Sequence, residues 1–400
     1  MAVVTGDQGR ARSQHAQAAF LYRPEVRQAI YQVVLVVLLV TLFYMLIHNT
    51  ASNLRKQNIA SGFAFVDRTA GFDVSQTLID FDSSMTYGRA FLVGLLNTLL
   101  VAGIGIVIAT ILGFVIGIAR LSTNWLIARL AAVYVEVVRN IPLLLQLFFW
   151  YFAVLKALPP PRQSLSVPGG GFLNVRGLYL PSPIPEAGFD IVALIVLIGI
   201  AASTAVYVWA RRRQRLTGQQ FPVFWTSLAL IVGLPLLVHV MLGSPMSFEY
   251  PELKGFNFQG GMVLQPEFLA LLLGLSIYTA SFIAEIVRAG IQGVSKGQKE
   301  AALAIGLTHG QSLRLVVIPQ AMRIIIPPLT SQFLNLTKNS SLAVAIGYPD
   351  LVSVWSGTVL NQTGQAVEVI LVTMCVFLAI SLITSAFMNW FNRRMALVER

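Results

Sequence analysis

The chain has 400 residues, 56% of them hydrophobic and only 11% charged, with a mean hydropathy of +0.72. A soluble globular domain is about a quarter charged, so that class is excluded and the bilayer is the solvent. The net charge of +11 does not point to nucleic acid, because the basic residues cluster between apolar runs, where they orient membrane spans.

A helix needs about 20 apolar residues to cross roughly 30 Å of hydrocarbon, and eight runs supply them. The alternating segments of a membrane barrel are missing, so the predicted fold class is an all-α polytopic membrane protein with about eight transmembrane helices. Residues 1–29 are a polar cytoplasmic segment. The run 30–48 is read as a retained span, since no clear small-residue cleavage site follows it. Residues 49–88 carry Asp67, Asp73, Asp80 and Asp82 among Gly, Ser and Thr, which marks a solvated outer loop.

The run 91–118 contains Gly113 and Gly117, a spacing that brings a second helix close. In the run 131–156, Glu136 and Arg139 stand i, i+3 and are expected to pair, and Pro142 is expected to kink the helix where a gate would sit. The stretch 157–188 holds Pro159–Pro161 and Gly169–Gly171, so short turns are expected and long helices are not. Runs 189–210 and 222–243 follow, the first ending at Arg211, Arg212, Arg213 and Arg215, a stop-transfer cluster. The run 267–288 sets Tyr278, Ser281 and Glu285 at helical spacing, with Glu285 and Arg288 again i, i+3.

The run 325–346 places Lys338 deep in the apolar phase, inside a polar belt with Asn335, Asn339 and Ser340. An intramembrane charge faces a partner or a wet cavity. Tyr278, Ser281, Asn335, Lys338, Asn339 and Ser340 are therefore the candidate translocation-path residues, with interhelical hydrogen bonding as the competing reading of the belt. The run 367–390 carries the single cysteine, Cys375, and residues 391–400 are the tail. With both termini inside, 18 of the 28 Lys and Arg fall on the cytoplasmic side.

Between the runs 267–288 and 325–346 lies a polar, Ala- and Gly-rich connection, 289–324. It contains Gly297, Glu300-Ala301-Ala302, Gly306 and Pro319. Ala301, Ala302 and Ala304 favour helix and let another backbone come close. Glu300 is expected in the first turn of a helix ending at Gly306, which supplies a left-handed cap, and Pro319 is expected to stop a second segment. Glu-Ala-Ala, a Gly four residues on and a Pro thirteen beyond resemble the cytoplasmic coupling element of permease subunits of bacterial ABC importers. Phe91, Gly94, Asn97-Thr98-Leu99 and the run Arg139–Phe148 resemble the polar amino-acid branch, the histidine/glutamine-type permease family.

That resemblance implies a type I importer permease core of five helices within 89–390, preceded by one extra span and interrupted over 157–266 by two inserted ones. It implies a bacterial inner-membrane location and translocation of L-amino acids. It implies a second, different permease chain, two ABC ATPase subunits and a periplasmic amino-acid-binding protein as partners. It makes Gly297, Glu300, Ala301, Ala302, Gly306 and Pro319 the ATPase-coupling residues, and Glu136, Arg139, Pro142, Glu285 and Arg288 gate or structural residues. No phosphate loop, His-Glu-x-x-His or Cys-x-x-Cys motif occurs, so the chain itself is expected to bind no cofactor or metal, with ATP and Mg used by the partner ATPase. The alternatives are an ion-gradient transporter or channel with Glu136, Lys338 and Glu368 as relays, and an intramembrane hydrolase, for which no nucleophile and base pair is evident.

Overall fold

The computed structural model describes residues 24–56 and 62–395. Most of the expected leading segment 1–29, and residues 396–400 of the expected tail, lie outside the described residues. Helix α1 (Pro24–Lys56) is the extra leading span, and its apolar stretch is exposed along its length. The first core helix, α2 (Tyr87–Ala119), starts at Thr86, whose hydroxyl accepts from the Arg89 amide at 3.3 Å.

The run 131–156 is not one kinked helix but two, α3 (Trp125–Asn140) and α4 (Leu143–Leu155), which meet at 106°. Pro142 breaks the span rather than bending it. Its ring disfavours helical geometry in the preceding residue, and Ile141 is extended, with φ −97° and ψ 128°. The side chain of Gln146 stitches the break by donating to the carbonyls of Val138 and Ile141, each at 2.9 Å.

Helix α7 (Pro266–Gln292) is the centre of the core. Three neighbours reach its backbone through glycines. A Cβ on Gly113 or Gly117 of α2 would stand 2.5 Å from Ile283 and 2.7 Å from the Ala284 carbonyl, as the sequence spacing predicts. On α7 itself, a Cβ at Gly274 would meet Leu147 of α4 at 2.5 Å. One at Gly290 would meet Ile325 of the next long helix at 2.3 Å. Without a hydrophobic drive between helices in lipid, such close packing is what holds spans together.

The connection after α7 forms α8 (Lys296–Ala304), and then α9 (His309–Ile346) and α10 (Ala366–Met395) complete the core. Between α9 and α10 the turn at 347–351 leads into a wide π-helical stretch, Val352–Val359. That turn lies against α2: a Cβ on Gly94 would stand 3.0 Å from Leu351 Cα.

The insertion is a coherent unit. Its two ends join as an antiparallel four-stranded sheet, in the order β1 (Leu165–Val167), β2 (Gly171–Asn174), β3 (Gly177–Leu180) and β8 (Met262–Leu264), with Tyr179 opposite Val263. A ribbon of β4 (Ser182–Pro185) and β5 (Met246–Glu249) leads out to the hairpin of α5 (Phe189–Thr217) and α6 (Val223–Met241). A second ribbon pairs β6 (Glu252–Lys254) with β7 (Asn257–Gln259). The chain is mostly helical, as expected, but the Pro- and Gly-rich outer stretch forms strands where only short turns were expected. Phe258 explains the difference: its ring packs on Phe172 at 4.7 Å and Tyr179 at 5.0 Å, giving the short strands a buried face.

Candidate coupling segment and translocation path

Helix α8 follows its N-cap residue Ser295, which lies three residues after the end of α7, and so begins earlier than expected. Glu300 is its fifth residue and not in the first turn, so it draws little from the positive end of the helix dipole, which acts within about one turn. The end of the helix is as predicted. Gly306 is left-handed, φ +86°. Its amide donates to the Leu303 carbonyl at 3.0 Å, and the Leu307 amide donates to the Ala302 carbonyl at 3.1 Å, the paired bonds of a Schellman cap.

Ala302 is buried, together with Val294 and Val317, and fixes the inner side of α8. Gly297, Glu300, Ala301 and Ala304 are exposed at helical spacing and form the outer face. The chain then turns through a capping box, in which Thr308 and Gln311 exchange bonds of 3.3 and 2.9 Å. Gln320 ties the start of α9 back to α8 by donating to Gln298 at 3.3 Å.

Pro319 does not stop a helix. It sits in the first turn of the regular part of α9, just after the π-helical turn Leu313–Val317. The wider turn rearranges the carbonyls that a proline leaves unpaired, so the helix runs on. In that turn Val317 is buried, whereas Leu313 is 47% exposed.

Glu285 and Arg288 pair as expected, and the structure adds Arg120 from the end of α2, so that two guanidinium groups bracket one carboxylate. Arg288 also donates to Gln292 at 2.5 Å. The cluster joins α2 to the last turn before α8. Sequence reading missed Arg120 because its partner is 165 residues away.

Glu136 and Arg139 do not pair, which corrects the expectation. Glu136 accepts from Asn140 at 3.3 Å, and the Arg139 guanidinium lies over the Phe282 ring of α7 at 4.9 Å. A planar guanidinium gains more from an aromatic face across a helix interface than from an exposed i, i+3 pair. Phe282 packs on Tyr278 at 5.0 Å, so Arg139, Phe282 and Tyr278 form one chain of contacts across α3 and α7. Glu136, Arg139, Asn140 and Phe282 line a small cleft of about 250 Å³.

The remaining path candidates divide. The buried Ser281 donates to the Tyr278 carbonyl at 2.6 Å, and the buried Ser340 donates to the Thr337 carbonyl at 2.7 Å, so both hydroxyls are spent on their own helix. Asn335 and Lys338 are exposed, three residues apart, and Asn339 is half-buried. The belt is accommodated by a change of pitch, because α9 tightens to a 3-10 helix from Ser340 to Ile346.

At the far end of α2, Asn97 donates to the carbonyls of Gln76 and Pro349, each at 2.9 Å, and the Thr98 hydroxyl accepts from the Leu351 amide at 3.0 Å. Asp350, in the same turn, is 1% exposed, and one of its carboxyl oxygens accepts from the Ser353 amide at 2.9 Å. Burial pushes its carboxyl up to about 7.

These features define a multi-pass membrane protein: a glycine-packed helical core that presents one short, small-faced helix between two of its spans. Comparison with known proteins gives the family. Residues 215–397 match the family described as binding-protein-dependent transport system inner membrane component. The chain is 58% identical to the general L-amino acid transport system permease protein AapQ of Rhizobium johnstonii, over 95% of each chain. It is 55% identical to the putative amino-acid ABC transporter permease protein YhdX of Escherichia coli, over 94% of this chain and 96% of that one. It is 39% identical to the glutamate/glutamine/aspartate/asparagine transport system permease protein BztB of Rhodobacter capsulatus, over 95% and 96%. The chain belongs to the permease family of amino-acid ABC transporters, which sets aside the ion-gradient and hydrolase alternatives.

Proposed function

We propose that this chain forms one half of the pore of an ATP-driven importer that moves L-amino acids across a bacterial inner membrane, with both termini cytoplasmic. A second permease chain supplies the other half, a periplasmic amino-acid-binding protein delivers the solute, and two ATPase subunits use ATP and Mg below. The observation that carries this reading is α8: a capped helix of small exposed residues held between the spans α7 and α9. It docks on an ATPase subunit through Gly297, Glu300 and Ala301, and Gly306 and Pro319 hold the segment in shape. Movement at α8 passes to the core through Arg120, Glu285 and Arg288, which join its base to α2. The ATPase biases the pore only as far as its nucleotide states bind α8 differently.

Asn335, Lys338 and Asn339 line the path in this reading, with Tyr278 on the facing helix. Ser281 and Ser340 shape the helices that carry it. Relatives named for general L-amino acid transport and for glutamate, glutamine, aspartate and asparagine transport support amino acids as the cargo. The test is Ala301→Arg in the assembled transporter. It should abolish ATP-linked uptake while leaving membrane insertion and the melting temperature unchanged, since the side chain points outward. Retained uptake by this variant, or uptake by this chain alone in sealed vesicles, overturns the reading.

A further inference from the structure

The inserted hairpin has a feature that neither the core nor the coupling segment uses. Arg211, Arg212, Arg213 and Arg215 occupy the last two turns of α5, and none forms an ion pair with a carboxylate among the described residues. Two of them are held by aromatic rings one turn back: the Arg211 guanidinium lies over Tyr207 at 4.8 Å, and that of Arg213 over Trp209 at 5.4 Å. The turn that follows folds onto the same place. Gly218 is left-handed, φ +71°, Gln219 accepts from Arg213 at 2.7 Å, and Phe221 meets Trp209 edge-on at 5.3 Å.

Helical spacing puts Tyr207, Arg211 and Arg215 on one stripe, with Arg212 beside it, and these arginines are exposed. At the same end of the hairpin, Phe224 is 70% and Trp225 68% exposed. Behind this ring of aromatics the arm is bare apolar surface, including Leu194, Leu197 and Val208. The arrangement is a set of unneutralised, planar donors at the level of interfacial aromatics, directly above a surface that takes hydrocarbon.

We infer that the basic end of the α5–α6 hairpin binds the phosphate headgroup of an anionic phospholipid, with Arg211, Arg212 and Arg215 as donors and the apolar flank of α5 against the acyl chains. A free anion would satisfy the guanidinium groups but not the flank. A signal that only orients the span needs positive charge and no guanidinium laid on a ring, as Arg211 is on Tyr207. Lysine serves orientation equally well, but it cannot make the bidentate bond that arginine makes to phosphate.

The experiment uses the full chain in nanodiscs of phosphatidylcholine, with and without phosphatidylglycerol, and counts retained lipids by native mass spectrometry during delipidation. The wild type should retain phosphatidylglycerol over phosphatidylcholine. The triple variant Arg211→Gln, Arg212→Gln and Arg215→Gln should lose at least about tenfold of that preference. The triple Arg→Lys variant keeps the charge, hence the insertion and orientation, and should retain only part of the preference. Equal retention of the two lipids by the wild type, an unchanged preference in the lysine variant, or full competition by inorganic phosphate would each overturn the inference.

Discussion

The core pair α2–α7 and the inserted hairpin α5–α6 use the same device and meet different fates. In both, a glycine lets one backbone touch another: Gly113 and Gly117 face α7, and a Cβ on Gly199 of α5 would stand 2.3 Å from the Leu230 carbonyl of α6. Yet 61% of the apolar window of α7 is buried, against 17% and 6% for the two hairpin arms. A glycine contact makes a pair; enclosure requires further neighbours. Helix α7 has them, with Leu147 from α4 and Ile325 from α9 filling its other faces at Gly274 and Gly290. Each hairpin arm packs chiefly on the other and leaves its outer face for lipid or a partner.

Gly117→Leu tests this difference most severely. Its side chain would run into the Ala284 carbonyl and Val287, both under 3 Å from a Cβ, and overpacking at a backbone contact costs about 3 kcal/mol or more. The variant should lose the cooperative melt of the core, followed by thermal unfolding in detergent. Gly199→Leu, with the same local clash in the hairpin, should leave that melt in place. Equal loss in both would mean that the hairpin is part of the core's cooperative unit.

Glu285→Ala comes next. It strips one carboxylate from two guanidinium groups at the junction of α2, α7 and α8, and should cost about 2 kcal/mol. A double-mutant cycle with Arg120→Ala should return a coupling well above zero. A coupling of zero would remove Arg120 from the linkage between α2 and the coupling segment.

These two positions also mark where reading from the sequence stops. Local spacing identified Gly113 and Gly117, the Glu285–Arg288 pair and the cap at Gly306, because each depends on residues within a turn or two. It also found the apolar runs, but not all of their bounds: the run 131–156 is broken at Pro142, and α9 starts at His309, well before the expected 325. Arg120 beside Glu285, and Arg139 over Phe282 in place of Glu136, are choices among distant partners that no local pattern encodes. The break at Pro142 was visible as a proline but not as a right-angle turn, since the angle depends on how Gln146 satisfies the freed carbonyls. The strands of the insertion were hidden because their buried face comes from Phe258, some 80 residues beyond the strands it covers.

Asp350 offers a smaller effect with a distinct signature. Its carboxyl is held neutral by burial, with the pKa raised from 3.8 to about 7. The folded state therefore binds the proton more tightly than the unfolded chain, so this group's contribution to stability is full below about 3.8 and is lost as the pH rises through about 7. Asp350→Asn should flatten that part of the stability profile while keeping the turn against Asn97 and Thr98. An unchanged slope between about pH 4 and 7 would place the titration elsewhere.

The smallest change expected follows from the largest deletion. Pro185 of β4 pairs with Met246 of β5, so the ribbon is already closed where the hairpin leaves it. Joining these residues through a two-residue Asn-Gly turn would remove both arms and cap the ribbon in the manner of an ordinary hairpin. The sheet below stays intact, because β3 and β8 pair on the core side of the cut. If α5 and α6 hold mainly to each other, the core of the shortened chain should melt within about 0.5 kcal/mol of the parent, as changes away from packed features do. A shift of several kcal/mol would show that the arms brace the core after all, and the contrast between an enclosed α7 and a self-sufficient hairpin would fail.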